Sequence, residues 1–197
     1  MEDNHPIWGI DFGAKLSGTT VIASFNNMVV GIRQSPRGKD SGKWLTNEFD
    51  ETPLKPRLIG IDAPLSLPAG YYKGEDLHYR MADRQLKAMS PMFIGGLTAR
   101  AIEWTRSIKS NFIEVYPSGL ADTWFSKGRQ ERKKAFQDFY INFFLPKWFD
   151  LTGCDYKGPS PDNLHQLDAL LALFTTLKYE KGKAESYGTE EEGLIWI

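Results

Sequence analysis

The chain has 197 residues and a mass of 22.4 kDa, and its 41% hydrophobic and 25% charged residues exclude a disordered or fibrous protein. Its formal net charge of −1 and pI of about 6.3 exclude a global positive field, so any binding of nucleic acid requires a local patch. We expect residues 1–197 to form one α/β domain.

The cysteine content and hydropathy of the chain predict its cellular compartment. Cys154 is the only cysteine, which excludes an intrachain disulfide, and no basic and then apolar segment resembling a signal peptide opens the chain. The longest apolar stretch, at residues 164–177, is too short to cross a membrane and contains two ionisable residues. We therefore expect a cytoplasmic protein without a membrane partner.

The first third of the chain predicts a sheet. Apolar and β-branched runs predict strands at residues 7–12, 19–25, 28–34 and 58–62. The short turns between the first three strands, including Asn26-Asn27, make them antiparallel neighbours. A predicted helix at 42–51 provides a crossover, so the fourth strand should run parallel to the first.

The remainder alternates helices with a fifth strand. The predicted elements are helices at residues 75–89, 97–110 and 130–149, a strand at 111–116 that ends at 117–119, and a last helix from 160 to 182. The apolar tail at 193–197 predicts an added edge strand.

Four acidic residues lie on hydrophobic elements. Asp11 and Asp62 close the first and fourth strands, Glu114 interrupts the fifth, and Asp168 lies inside the last helix. A buried carboxylate is unfavourable by several kcal/mol, on the order of a lost ion pair, unless it is paired or binds a metal. Because ligands bind at the carboxyl edge of such sheets, these residues predict a divalent-metal site. Oxygen ligands without a cysteine cluster favour Mg²⁺ or Mn²⁺.

His165 extends the predicted site. It shares a helix face with Asp168 at a spacing of three residues, which suits a general base beside a metal ligand. The predicted catalytic residues are therefore Asp11, Asp62, His165 and Asp168. Taken singly, His165 could equally be an ordinary helix histidine and Asp168 a surface acid.

Basic residues supply candidates for contacts with a phosphate group. These candidates are Lys15, Arg80 and Arg100. Arg80 could equally pair with Asp76 or Asp83 on its own helix, and Glu114 could be a partner of Arg80 or Arg100 rather than a metal ligand. The basic run at 127–134 could steer a polyanion or form a solvated helix face. Tyr71 and Tyr72 could stack on a base.

Five blocks carry a resemblance to a known family. They are GIDFGAK at residues 9–15, IDAPL at 61–65, RMAD at 80–83, EVYP at 114–117 and HQLDAL at 165–170. Together they resemble domain of unknown function family 429, which is described as predicted nucleases of ribonuclease H-like fold. The final His-x-x-Asp is also similar to the last-helix motif of RuvC-type resolvases.

The resemblance implies a fold and an activity. The fold is a mixed five-stranded sheet in the order 3-2-1-4-5, flanked by helices, with metal-bound carboxylates at Asp11, Asp62 and Asp168. The activity is that of a metal-dependent nuclease, which hydrolyses phosphodiester bonds of DNA or RNA with two metal ions.

Two other classes of function remain open from the sequence. Residues 11–20 also resemble the phosphate-binding hairpin of actin-like ATPases and sugar kinases, although those enzymes clamp nucleotide between two such domains and this chain has residues for one. A noncatalytic binding module on the same fold is the third possibility.

Overall fold

The computed structural model of the chain describes residues 5–70, 77–126 and 128–197. Tyr71 and Tyr72, the predicted base-stacking residues, lie outside the described residues, as do Lys127 of the basic run and the start of the helix predicted at 75–89.

The core of the fold is a mixed seven-stranded sheet in the order β3-β2-β1-β4-β5-β7-β6. Its strands are β1 (Ile7–Asp11), β2 (Val21–Asn26), β3 (Val29–Gln34), β4 (Leu58–Asp62), β5 (Phe112–Val115), β6 (Ser186–Thr189) and β7 (Gly193–Trp196). β1, β4, β5 and β7 are mutually parallel neighbours, whereas β2, β3 and β6 pair antiparallel to theirs. The predicted order of the first five strands and the parallel pairing of β1 with β4 are confirmed.

Helices flank this sheet. They are α1 (Ser41–Glu51), α2 (Met81–Leu86), α3 (Gly95–Ser107), α4 (Pro117–Trp124), α5 (Gly128–Lys134), α6 (Phe136–Phe139), α7 (Leu145–Thr152) and α8 (Leu164–Glu180). A π-helical turn, Tyr140–Phe144, joins α6 to α7. No helix within the described ranges is both long and apolar enough to cross a membrane.

The prediction of a five-stranded sheet was wrong. The predicted tail strand exists as β7, but it lies inside the sheet between β5 and β6 rather than at the edge. Ile195 and Ile197 of this tail are buried, so it contributes to the core. β6 has a single large apolar side chain, Tyr187, so its sequence lacks the hydrophobic alternation that predicts a strand. It joins the sheet through backbone pairing with β7.

Three predicted helices differ in extent. The helix expected at 75–89 is described only over Met81–Leu86, where Lys87 in the left-handed region ends it. The helix expected at 130–149 is broken into α5, α6, the π-helical turn and α7. α8 begins at Leu164 because the side chain of Asn163 caps it by accepting from the backbone nitrogen of Gln166. α4 was not predicted, although Pro117 at its first position is a favourable start.

Side chains on the two faces of the sheet enter different hydrophobic clusters. Odd-numbered positions of β1 face α8, whose Leu170, Leu171 and Phe174 are buried with the aromatic residues of α6 to α7. Trp8, Ile10 and Phe12 point the opposite way and pack beneath α1 and α3. This alternation is expected of a central strand with both faces covered.

Two glycines bring α8 unusually close to the sheet. A Cβ atom at Gly9 would lie 2.0 Å from the backbone nitrogen of Leu173, and one at Gly60 would lie 2.0 Å from Oγ1 of Thr176. Gly9 and Gly60 are register partners on β1 and β4. The helix therefore lies directly across both strands, with its first turns beyond their carboxyl ends.

We expect Gly9→Ala to lower the free energy of unfolding by about 3 kcal/mol, because the new methyl group would clash with helix backbone that cannot rotate away. Gly96→Ala is the matched control, since a Cβ there has no neighbour within 4 Å, and its stability should be equal or slightly higher. Urea unfolding of both variants measures this. A loss below about 1 kcal/mol for Gly9→Ala would contradict the close packing.

Candidate functional site

Three carboxylates meet where β1, β4 and α8 come together. Asp11 and Asp62 are register partners at the ends of β1 and β4. Asp168 lies on the second turn of α8 and is 2% exposed. Burial raises the pKa of Asp62, and the nearby charges of Asp11 and Asp168 raise it further. These three predicted site residues are thus brought together, and we call them the acidic cluster.

The acidic cluster borders a cavity of about 420 Å³, which we call the acidic cavity. Asp11, Asp62 and His165 line it, together with Tyr116 and Arg129. Its position beyond the carboxyl ends of parallel strands is the usual place for a ligand in an open α/β sheet.

His165 is held by the acidic cluster. Its Nδ1 lies 2.8 Å from Oδ2 of Asp11, and its side chain is 38% exposed. This hydrogen bond raises the pKa of His165, and burial only partly opposes it. For Asp11, burial raises the pKa, while the hydrogen bond and charge of His165 act in the opposite direction. The histidine is therefore oriented by an acid of the same site.

Asp168 has one satisfied oxygen and one unsatisfied oxygen. Its Oδ2 accepts a hydrogen bond from Nη2 of Arg129 at 3.2 Å. Its Oδ1 is buried and has no hydrogen-bond partner among the described residues. Burial and then the charge of Asp11 raise the pKa of Asp168 to about 6, against the opposing charges of Arg129 and Arg132. A buried carboxylate oxygen without a donor is unfavourable and rare in a folded protein.

Asp62 has fewer bonded partners to balance its charge than Asp168 has. Within the described parts of the chain it has no hydrogen-bond or ion-pair partner. Burial raises its pKa well above the ordinary value, and the charges of Asp11 and Asp168 raise it further. Among the described residues, one arginine and one histidine bond directly to the three acids, so the acidic cluster lacks positive charge.

The positions of the side chains bear on whether a metal would fit. Among residues 5–70, 77–126 and 128–197, no group of three or more His, Cys, Asp or Glu side chains is arranged to hold a metal ion. Asp11 and Asp168 each have an oxygen bonded to a basic side chain instead, His165 and Arg129 respectively. The donor chemistry nevertheless fits a divalent cation, because the oxygens are hard, one is unpartnered and the charge is unbalanced. A bound ion would compete with Arg129 for Asp168, whereas Asp11 could contribute its other oxygen and keep its hydrogen bond to His165.

Glu114 has a different role from the predicted one of a metal ligand. Its two oxygens accept hydrogen bonds from Arg80 at 2.7 and 2.6 Å, and one of them also accepts from the backbone nitrogen of Leu65. The fully buried guanidinium of Arg80 also binds both oxygens of Asp83. The structure therefore contains both the Arg80–Asp83 pair and the Arg80–Glu114 pair, which the sequence offered as alternatives to a substrate contact and a metal site. The predicted substrate contact of Arg80 would require it to leave this network.

The other two predicted phosphate contacts lie beside a second cavity rather than the acidic cavity. Lys15 pairs with Asp40 at 3.3 Å. Arg100 donates to the backbone oxygen of Gly13 at 3.2 Å and to Oγ of Ser41 at 2.8 Å. Neither residue lines the acidic cavity.

Sequence reasoning missed two arginines that act on the acidic cluster. Arg129 reaches Asp168 from α5 while 54% of its side chain stays exposed. Arg132 is fully buried, pairs with Asp122 at 3.1 Å and donates to Oγ of Ser118 at 3.0 Å. Both belong to the basic run for which the sequence left open either steering of a polyanion or a solvated helix face. Their spacing of three residues gave the only sequence signal, because it places both on one helix face.

Comparison with known proteins gives no relative for this arrangement. No family model, curated protein sequence or solved structure matches the chain. The resemblance to domain of unknown function family 429 therefore stays a prediction.

We expect Asp168→Asn to stabilise the metal-free protein at pH 8 by about 2 kcal/mol. The folded state holds the proton of Asp168 up to a pKa of about 6, whereas the unfolded chain releases it near 3.8. The wild type therefore loses stability as pH rises through this window, and the variant does not. The stability difference should disappear near pH 4.

Thermal unfolding in a chelator at pH 4 and pH 8 provides the measurement. Asp155→Asn is the matched control, because Asp155 is exposed and its substitution removes the same charge outside the acidic cluster. Its melting temperature should follow the wild type. A lower melting temperature for Asp168→Asn at pH 8 would show that the acid is a structural partner instead.

Proposed function

We propose that this protein is a metal-dependent nuclease that hydrolyses phosphodiester bonds of nucleic acid within a ribonuclease H-like fold, as the resemblance to domain of unknown function family 429 implies. The observation that carries the proposal is the convergence of Asp11, Asp62 and Asp168 at the carboxyl ends of two central strands, with too little positive charge nearby. Folding alone gives no reason to keep such an acidic cluster.

The acidic cluster is the proposed ligand set for Mg²⁺ or Mn²⁺. Such ions supply a hydroxide nucleophile at neutral pH and neutralise charge on the phosphoryl oxygens. Asp62 is free to bind, and Asp168 offers an unpartnered oxygen. Asp11 would contribute while keeping His165 in place through its second oxygen.

His165 is the proposed group for proton transfer. Its Nδ1 is bound to Asp11, so its Nε2 is left to exchange a proton with water in the acidic cavity, which the ring lines. A carboxylate that fixes one nitrogen of an imidazole orients the other, and this lowers the entropy lost in proton transfer.

Arg129 is the proposed phosphate ligand. It is the arginine that lines the acidic cavity with more than half of its side chain exposed. Its guanidinium is held at Asp168 by a 3.2 Å contact, which a cation on that carboxylate would weaken. The planar guanidinium could then bind two oxygens of a phosphate group.

The phosphate-binding hairpin of the kinase alternative has less support. Its loop follows β1, but the backbone N–H of Gly13 already donates to Oγ1 of Thr20 at 3.1 Å. Lys15 of the same loop is paired with Asp40. These two donors of the loop are thus already engaged, whereas the acidic cluster retains an unpartnered acceptor, Oδ1 of Asp168.

We expect Asp11→Asn and Asp168→Asn each to lower metal-dependent cleavage by at least about a thousandfold, since each removes a charged oxygen ligand. The assay follows single-stranded, branched and duplex DNA and RNA in Mg²⁺ and in Mn²⁺, with a chelator as the blank. Asp155→Asn should cleave at the wild-type rate. Wild-type protein that cleaves none of these substrates would sink the proposal.

We expect Arg129→Ala to reduce the maximal cleavage rate by about a hundredfold, because a charge-assisted contact to the reacting phosphate would be lost. Lys133→Ala removes a neighbouring exposed charge on α5 and should change the rate less than about threefold. Single-turnover kinetics at saturating protein separates the two. Equal effects of both substitutions would mean that the basic run only steers the substrate electrostatically.

A further inference from the structure

A second cavity of about 480 Å³ lies between α1, α3 and the loop that follows β1, and we call it the basic cavity. Its lining includes three cationic and two large aromatic side chains, Lys15, Lys43, Arg100, Phe12 and Trp104. A cavity of this volume, with an apolar surface and a few charged groups, is typical of a site for a small organic ligand.

The charge of the basic cavity favours an anion. Lys15, Lys43 and Arg100 oppose two acids of the lining, Asp40 and Glu103. Asp40 is already occupied by Lys15. Lys43 has no ion-pair partner within the described residues, so its ammonium group is available to a ligand.

Arg100 is held ready before any ligand arrives. Its guanidinium donates to the backbone oxygen of Gly13 and to Oγ of Ser41, and it lies 5.0 Å from the ring centroid of Phe12. A cation fixed in this way loses little conformational entropy when it binds an anion. Its remaining N–H groups can still donate.

The apolar part of the basic cavity suits a planar group. Phe12 and Trp104 are buried, so they form its wall rather than project into it. Thr46 and Asn47 line the same space and offer a hydroxyl and an amide. An apolar wall with a few polar groups that fix orientation matches a nucleobase and its sugar, whereas inorganic phosphate alone would leave the wall unused.

The basic cavity adjoins the acidic cavity at one residue. Phe12 lines both cavities and directly follows Asp11 of the acidic cluster. Under the proposed nuclease function, a polynucleotide with one phosphate at the acidic cluster could extend past Phe12 toward the basic cavity.

We propose that the basic cavity binds a nucleoside phosphate, namely the nucleotide adjacent to the cleaved bond, with its phosphate at Lys43 and Arg100 and its base against the apolar wall at Trp104. That this nucleotide belongs to a nucleic-acid strand, rather than being free, rests on the proposed nuclease function. The N-terminus of α1 is not the binding group, because Asp40 already accepts from the backbone nitrogens of Gly42 and Lys43.

The test uses Lys43→Glu, which changes an exposed side chain on α1 and leaves the acidic cluster intact. Lys109→Glu has the same charge change outside both cavities and is the matched control. Adenosine 5′-monophosphate and a single-stranded oligonucleotide are titrated calorimetrically in Ca²⁺, and cleavage in Mg²⁺ and Mn²⁺ is measured separately. We expect Lys43→Glu to weaken binding of both ligands by about tenfold or more, and Lys109→Glu to weaken it less than twofold.

The outcomes separate the two proposals. Active wild-type protein whose Lys43→Glu variant binds both ligands normally would overturn the basic-cavity assignment and leave the nuclease function standing. Absence of cleavage together with mononucleotide binding that depends on Lys43 would overturn the nuclease function and assign the cavity to a free nucleotide. Loss of mononucleotide binding with unchanged oligonucleotide binding and cleavage would also identify a free nucleotide and overturn the strand assignment.

Discussion

The contact of α8 with the two central strands is the constraint on which the rest of the structure depends. Gly-Ile-Asp occurs at the end of both β1 and β4, in register, with each glycine against α8 and each aspartate two positions later on the same face. Two strand residues and five helix residues both span about 7 Å, so Asp168 reaches the level of Asp11 when Leu173 packs on Gly9. The packing that builds the core therefore also assembles the acidic cluster.

The protein contains two groups of buried acids, and they differ in how their charge is balanced. Glu114 and Asp83 surround Arg80, and each acid has both oxygens bonded to its guanidinium. The acidic cluster has no such central cation, since Arg129 bonds to one oxygen of Asp168 and His165 to one oxygen of Asp11. The acids paired with Arg80 have a structural role, because removal of one partner would leave an uncompensated buried charge. The acidic cluster has no comparable structural explanation within the described residues, which is why the functional proposal rests on it alone.

Local sequence patterns predicted the first five strands, α8 and the three acids of the acidic cluster, because strand ends and helix faces are read over a few residues. They left open whether Glu114 is a metal ligand or a partner of Arg80 or Arg100, because only the tertiary position of Arg80 decides between these alternatives. Arg129 was missed as a site residue for the same reason, because its contact with Asp168 joins residues 39 positions apart. The extra strand β6 escaped prediction because backbone pairing, rather than hydrophobic alternation, holds it in the sheet.

The end of β1 also explains why two cavities adjoin. Successive side chains of a strand point to opposite faces, so Asp11 faces α8 while Phe12 faces α1 and α3. The loop after Phe12 is held on the second face by Arg100, which binds Gly13 and covers the Phe12 ring. One strand end thus supplies a carboxylate to the acidic cavity and an aromatic wall to the basic cavity.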